Sequence, residues 1–219
     1  MKTFKQFLSE APQFEIERFK ADCAFTLEQL KGSHGQSLLY RGTPAAPIDW
    51  EISKWQRRVQ PKDTSLIYHR AMNEWFKSNM GDAIRNWMFC TGYKPTAGVY
   101  ARGKPVTVIF PIGKFEWVCS KDPALTDMTD FIANLQHSIS MKTPETGKDW
   151  IHTVETNTIA ALHDKLDSTQ FWHSTDLLDC IKSKTEIMFK CDKYYCFSDY
   201  DNETGTLHSE EMQQLLKSL

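Results

Sequence analysis

The chain has 219 residues, of which 41% are hydrophobic and 25% charged, and its formal net charge is −2. This composition excludes a disordered chain, and it predicts one globular domain large enough to bury a substantial core. A net charge so close to zero provides no general basic field for nucleic acid, and no apolar run reaches the length of a membrane span.

The first ten residues predict a short amphipathic helix. Phe4, Phe7 and Leu8 recur at helical spacing, so they share one face. Pro12 ends the helix, because proline lacks the backbone donor and its ring clashes with the preceding turn. One interpretation is a plain terminal helix that packs on the domain.

Beyond this segment, apolar periodicity and turn residues predict helices that alternate with strands. The pattern is typical of a compact α+β domain with antiparallel strands and flanking helices. Helices are expected over residues 13–30, 64–81, 121–140, 150–166, 175–181 and 209–219, and strands over residues 37–41, 86–91, 106–111, 186–190 and 193–197. The last two strands are expected to pair as a β-hairpin through Cys191 and Asp192.

The six cysteines form no Cys-x-x-Cys pair, and most lie inside apolar runs, as Cys90 does. This placement predicts small buried hydrophobic residues in a reducing cytosol, in preference to a disulfide or a zinc site. The seven histidines show no metal-binding spacing, so no metal site is expected.

Three short motifs carry side chains that suit cleavage of a glycosidic bond in a dinucleotide. A carboxylate stabilises the positive charge that develops on the ribose, and an arginine fork binds phosphate oxygens. A hydroxyl on a neighbouring strand fixes such groups by hydrogen bonds. The motifs are YRGT at residues 40–43, FCTG at residues 89–92 and TEIMF at residues 185–189.

The three motifs follow one order along the chain. An arginine lies on an early strand, a hydroxyl residue lies on a middle strand, and a glutamate opens a late strand. The order resembles the Arg–Ser/Thr–Glu arrangement of the mono-ADP-ribosyltransferase family, which cleaves NAD and transfers ADP-ribose to a target. The resemblance implies an ADP-ribosyltransferase-like domain in which Glu186 is catalytic and binds a ribose hydroxyl of NAD, the substrate. Arg41 would hold the phosphate or ribose side, and Thr91 would stand where the family places a serine. This enzyme hypothesis requires Arg41 and Glu186 to converge on one cleft.

The sequence departs from the family at two positions. The middle motif has Phe89 where the family has its first serine, and Lys184 stands where the family often has the Glu or Gln that helps select the acceptor. The second departure leaves open a transferase, an NAD glycohydrolase or an inactive relative. Arg41 as the partner of a surface acid, and Thr91 and Glu186 as ordinary strand residues, also remain alternatives.

The first ten residues also resemble the capsid-targeting leader on internal head proteins of large tailed phages. In that family the leader docks on the prohead scaffold, and a prohead protease cuts after a Leu/Ile-x-Glu sequence; Leu8, Ser9 and Glu10 match it. The resemblance implies a leader at residues 1–10, a single domain at residues 11–219, and a location in the virion interior or the host cytoplasm.

The two resemblances together imply a packaged effector that modifies a host protein or nucleic-acid target, with no membrane partner. Two further hypotheses remain: a non-enzymatic internal head protein, and an inhibitor that binds a host enzyme through an aromatic surface.

Overall fold

The computed structural model describes residues 14–33, 35, 37–43, 50–56, 64–120, 122, 127–143, 147–169, 171–172, 176–199 and 210–219. The predicted leader at residues 1–10 lies outside these ranges, as does Ser209, the first residue of the predicted last helix.

Helices occupy the N-terminal part, the intervals between strands and the C-terminus. The long helix α5 begins at an aspartate cap. The Asp127 carboxylate accepts from the backbone N–H groups of Thr129 and Asp130 at its start. The α-helices are α1 (Ile16–Asp22), α2 (Ala24–Gln29), α3 (Leu66–Met80), α4 (Lys94–Ala101), α5 (Met128–Lys142), α6 (Lys148–Ser168), α7 (Leu177–Lys182) and α8 (Glu210–Ser218), and one 3-10 helix covers Ile84–Asn86.

The described strands form one antiparallel sheet in the order β2-β8-β4-β1-β3-β7-β5-β6. The very short β1 lies in the middle, between β4 and β3, so it joins the two halves of the sheet. The strands are β1 (Tyr40–Arg41), β2 (Trp50–Lys54), β3 (Met88–Thr91), β4 (Val106–Pro111), β5 (Glu116–Ser120), β6 (Phe171–Trp172), β7 (Glu186–Lys190) and β8 (Lys193–Asp199).

Two large apolar clusters cover this sheet. In the first, α1, α2, α7 and α8 pack against the strands, and the Phe19 ring meets the Phe110 ring edge-on at 5.1 Å. In the second, α3, α5 and α6 cover β3, β5 and β7, around buried residues such as Phe76 and Leu162. The predicted α+β class with antiparallel strands and flanking helices is therefore confirmed.

Several predicted boundaries differ from the structure. The helix expected over residues 13–30 is divided at Cys23, because the Asp22 carbonyl accepts from the Gly113 backbone N–H, while Thr26 donates its hydroxyl to the Pro111 carbonyl. The sequence did not predict five elements, namely β2, the 3-10 helix, α4, β5 and β6. The predicted hairpin of β7 and β8 is wrong, because β7 pairs with β3 and β5 while β8 pairs with β2 and β4.

One disulfide joins Cys119 on β5 to Cys180 on α7, so the expectation that all cysteines are reduced is wrong for this pair. The two positions are 61 residues apart in the sequence, and only the packing of α7 against the sheet brings them together. The other four cysteines are buried and free, as the sequence predicted; they are Cys23, Cys90, Cys191 and Cys196.

Within the described ranges, every helix is too short or too polar to cross a membrane.

Candidate functional site

The three sequence motifs lie on three adjacent strands at the same end of the sheet. Tyr40 on β1 pairs with Thr91 on β3, and Thr91 pairs with Glu186 on β7. Directly opposed residues of an antiparallel pair project from the same face, so these three side chains form one row.

A glycine follows the strand residue in the first two motifs, and each glycine permits a helix to approach the sheet closely. A side chain at Gly42 would overlap the Ala97 carbonyl oxygen of α4, and one at Gly92 would overlap the Ile181 carbonyl oxygen of α7. The glycines therefore allow α4 and α7 to lie against the ends of β1 and β3, beside the row.

Glu186 is fixed at the start of β7 by the segment that precedes it. Thr185 is fully buried, and its hydroxyl donates to the Ser120 carbonyl on β5 while it also hydrogen-bonds Ser183 at 2.8 Å. Lys184 adopts a left-handed backbone with φ 60°, which turns the chain from α7 into β7. The carboxylate of Glu186 is thus placed by several contacts of its neighbours.

A buried arginine neutralises this carboxylate. Arg85, on the 3-10 helix that precedes β3, donates from Nη1 to Glu186 Oε2 at 2.6 Å. The side chain of Arg85 is only 4% exposed and that of Glu186 is 21% exposed. Within the described ranges, Glu186 Oε1 has no hydrogen-bond partner, so one carboxylate oxygen is held and the other remains available to a ligand.

A tyrosine and a second carboxylate stand near Glu186. Tyr100 on α4 donates its phenolic hydroxyl to Asp127, the N-cap of α5. Burial raises the pKa of Tyr100, and the hydrogen bond to Asp127 and the charge of Glu186 raise it further. The phenol therefore stays protonated at any physiological pH and serves as a hydrogen-bond donor beside the carboxylates.

Thr91 is buried and has a local structural task. Its hydroxyl accepts from the Tyr93 backbone N–H at 3.1 Å, which turns the chain from β3 into α4. This contact uses one lone pair of the Thr91 oxygen and leaves the hydroxyl hydrogen to donate elsewhere.

Arg41 occupies the end of β1 and leaves the row. Successive strand residues point to opposite sides, so Arg41 projects away from the side that carries Tyr40. Its charge acts on the Cys191 and Cys196 thiols and on the Tyr194 phenol, and it lowers their pKa values against the larger effect of burial. Among the described residues, no carboxylate lies within ion-pair distance of its guanidinium.

The thiols around Arg41 are unsuited to nucleophilic chemistry. Burial raises the pKa of Cys191 and of Cys196 to about 12, so both stay protonated near neutral pH. Burial also raises the pKa of Cys90, Arg41 lowers it and Glu186 raises it again. Both charged motif residues thus lie near one inert thiol, although they leave the sheet in different directions.

Lys184, at the position where the resemblance predicts a Glu or Gln, lies against an aromatic ring. Its ammonium group is 4.9 Å from the centre of the Tyr93 ring, and both side chains are exposed. The exposed border of the row is therefore cationic and aromatic at this position.

No model of a known protein family matches the chain, and neither a curated protein nor a solved structure matches it.

The structure thus places Thr91 opposite Glu186 and sets Arg41 one residue beyond Tyr40, on the other side of the sheet. The expectation that Arg41 and Glu186 converge on one cleft is therefore wrong, because successive residues of a strand project to opposite faces. Sequence reasoning missed Arg85, Tyr100 and Asp127. An arginine beside a turn does not by itself indicate burial. The available hint was its apolar surroundings, because Ile84 precedes Arg85 and Trp87 follows two residues later. In the described part of the chain, no cluster of three or more His, Cys, Asp or Glu side chains is suited to hold a metal ion.

Proposed function

We propose that the chain is an ADP-ribosyltransferase-like enzyme that cleaves NAD, and that it acts on a host target after delivery from the phage head. The observation that carries the proposal is the row of Tyr40, Thr91 and Glu186, because it joins three motifs that are remote in the sequence. Delivery rests on the resemblance of residues 1–10 to a capsid-targeting leader.

The charges support two separate tasks for the two ends of the motif set. A half-buried guanidinium with no carboxylate partner among the described residues suits a phosphate, and Arg41 has that character. In NAD one phosphate is esterified to O5′ of the nicotinamide ribose, so the phosphates and that ribose lie close together. Because Arg41 and Glu186 project from opposite sides of the sheet, the proposal rests on Glu186 and not on the convergence of the two residues.

The chemistry assigned to Glu186 is electrostatic. When the bond between the ribose C1′ and the nicotinamide nitrogen breaks, nicotinamide leaves with the electron pair and the ribose becomes positively charged. A carboxylate beside the ribose stabilises this charge, and the acceptor or water then adds at C1′ and loses a proton. The free oxygen of Glu186 is the group available for this contact.

The test is an assay of nicotinamide release from labelled NAD by the full chain, with and without host lysate. Glu186→Gln is the diagnostic variant, and Glu116→Gln on neighbouring β5 is the matched control, because Glu116 is exposed. We expect Glu186→Gln to lower turnover by about 100-fold or more, the size seen when an electrostatic contact to a transition state is lost.

The control should retain wild-type turnover, and label on a lysate protein or nucleic acid would distinguish a transferase from a glycohydrolase. A folded wild-type chain that neither binds nor cleaves NAD would overturn the enzyme proposal. That result would favour the non-enzymatic head protein or the host-directed inhibitor.

A further inference from the structure

Arg85 is a buried cation that pairs with one carboxylate among the described residues. It is 3% exposed, and its Nε atom has no hydrogen-bond partner among the described residues. Moving a guanidinium from water into the protein interior has a large cost in free energy, and one carboxylate seldom offsets that cost. An apolar side chain of similar volume often gives equal stability. The presence of arginine here therefore calls for an explanation beyond packing.

The backbone of Arg85 is fixed by a polar network from α3. Asn73 Oδ1 accepts from the Arg85 backbone N–H at 3.0 Å, and Asn73 Nδ2 donates to Asn86 Oδ1 at 3.1 Å. His69, which is 3% exposed, contacts the same Asn86 oxygen at 3.0 Å. The 3-10 helix that carries Arg85 is thus attached to α3 at two consecutive residues.

The guanidinium of Arg85 is fixed as firmly as its backbone. Its central carbon lies 4.3 Å from the centre of the Phe89 ring, and Nη1 also contacts Met188 Sδ at 3.6 Å. Phe89 and Met188 are cross-strand partners on β3 and β7, so the sheet itself forms this side of the arginine pocket. The planar group has little freedom to rotate.

A fixed guanidinium restrains the flexible carboxylate that it binds. A glutamate side chain has three rotatable bonds, and Glu186 would otherwise sample several rotamers at the end of its strand. Because Oε2 is bound to Arg85, the orientation of Oε1 is determined as well. Preorganised groups accelerate a reaction more than mobile ones, since no reorganisation is needed as the charge develops.

We propose that Arg85 is a positioning residue that holds Glu186 by one oxygen and directs the other oxygen towards the ribose of NAD. This inference rests on the proposed function. Arg85 has this task in preference to the middle motif, because Arg85 donates to Glu186 Oε2 and Phe89 has no hydroxyl to offer.

The experiment measures NAD turnover by the full chain with Arg85→Ala, Arg85→Lys and the control Lys190→Met. Lys190 is a suitable control, because it lies on the same strand as Glu186 but forms its ion pair with Asp82 and not with Glu186. Thermal unfolding and circular dichroism establish that each variant is folded.

We expect Arg85→Ala to lower kcat about 10- to 100-fold while KM for NAD changes less than about threefold, because the lost contact acts in the transition state. Millimolar methylguanidinium should raise the kcat of Arg85→Ala at least about tenfold by occupying the space that the arginine leaves. A merely structural role would not give this response. Lys190→Met should stay within about twofold of the wild type. If Arg85→Ala does not fold, Arg85→Lys supplies the test, with a smaller loss in kcat and an unchanged KM.

A folded Arg85 variant with wild-type kcat would overturn the positioning role, as would a loss confined to KM. In both cases the wild type still cleaves NAD, so the proposed function survives. Absence of turnover in the wild type would instead overturn the proposed function and the positioning role together.

Discussion

The two ends of the motif set differ in how their charges are compensated. At the carboxylate end, defined by Glu186 and Arg85, an ion pair of 2.6 Å is buried against the sheet before any ligand arrives. At the guanidinium end, defined by Arg41, the neighbours are protonated thiols and a phenol, and no described carboxylate pairs with the cation. Under the proposed function, the carboxylate end would supply the chemistry and the guanidinium end would bind an anion.

The largest expected effect concerns the disulfide, because α7 leads directly into the carboxylate end. Closing a loop of 61 residues restricts the unfolded chain, so Cys119→Ala with Cys180→Ala should reduce the free energy of unfolding by about 4 kcal/mol. Urea denaturation of the oxidised protein measures this. Cys196→Ala, at the guanidinium end, should cost about 1 kcal/mol, the loss of a small buried group. Equal losses at the two ends would contradict the comparison.

The next effect separates the two charged residues themselves. Glu186→Ala leaves the buried Arg85 guanidinium without a carboxylate, so we expect a loss of about 3 kcal/mol in unfolding free energy. Arg41→Gln removes a cation that has no described ion-pair partner, and its cost should be below about 1 kcal/mol. The comparison fails if denaturation midpoints fall equally for both variants.

A smaller loss is expected from the glycines that end the two strands. Gly92→Ala and Gly42→Ala each drive a methyl group into a helix carbonyl, and each should cost about 1–3 kcal/mol. Gly98→Ala is the matched control, because it lies within α4 with no heavy atom within 4 Å of the added methyl group. It should stabilise the protein by about 0.5–1 kcal/mol. A neutral Gly92→Ala would show that α7 does not press against β3.

Ligand affinity sharpens the comparison from the side of the guanidinium. We expect Arg41→Gln to weaken NAD binding about tenfold, equivalent to about 1.4 kcal/mol, because a charge-assisted phosphate contact is lost. Titration calorimetry measures the dissociation constant. Lys54→Gln, on the edge strand β2, is the control and should bind as the wild type does. Unchanged affinity in Arg41→Gln would remove Arg41 from the proposed site.

The smallest effect concerns pH and the partly exposed pair between Asp82 and Lys190. Burial opposes ionisation of Asp82, but hydrogen bonds from Lys190, the Ala83 N–H and Trp87 outweigh it and lower the pKa. The stabilisation is therefore complete above about pH 4 and is lost as the pH falls through the folded-state pKa. Asp82→Asn should cost a few tenths of a kcal/mol at pH 7, and the difference should shrink as the pH falls below about 4. A difference that stays constant through that acid range would exclude this origin.

The sequence by itself determined the class of the fold and the residues that open or close the central strands. The alternation and apolar runs of β3, β4 and β7 are local patterns, so they identified these strands and placed Thr91 and Glu186 at strand ends. The break between β7 and β8 at Cys191 and Asp192 was also a local signal, but the sequence did not reveal that these two strands pair with other partners and not with each other.

Only the tertiary structure decided which groups meet those residues. Arg85 and Glu186 are 101 residues apart, and the disulfide spans 61, so no local pattern encodes either contact. The β2 strand escaped prediction for a related reason: its side chains are half-exposed or exposed, and it is held by pairing along its whole length with β8. Burial of Arg85 follows from the packing of α3 over β3 and β7, which brings a charged side chain of an unremarkable turn to the carboxylate that the sequence had already singled out.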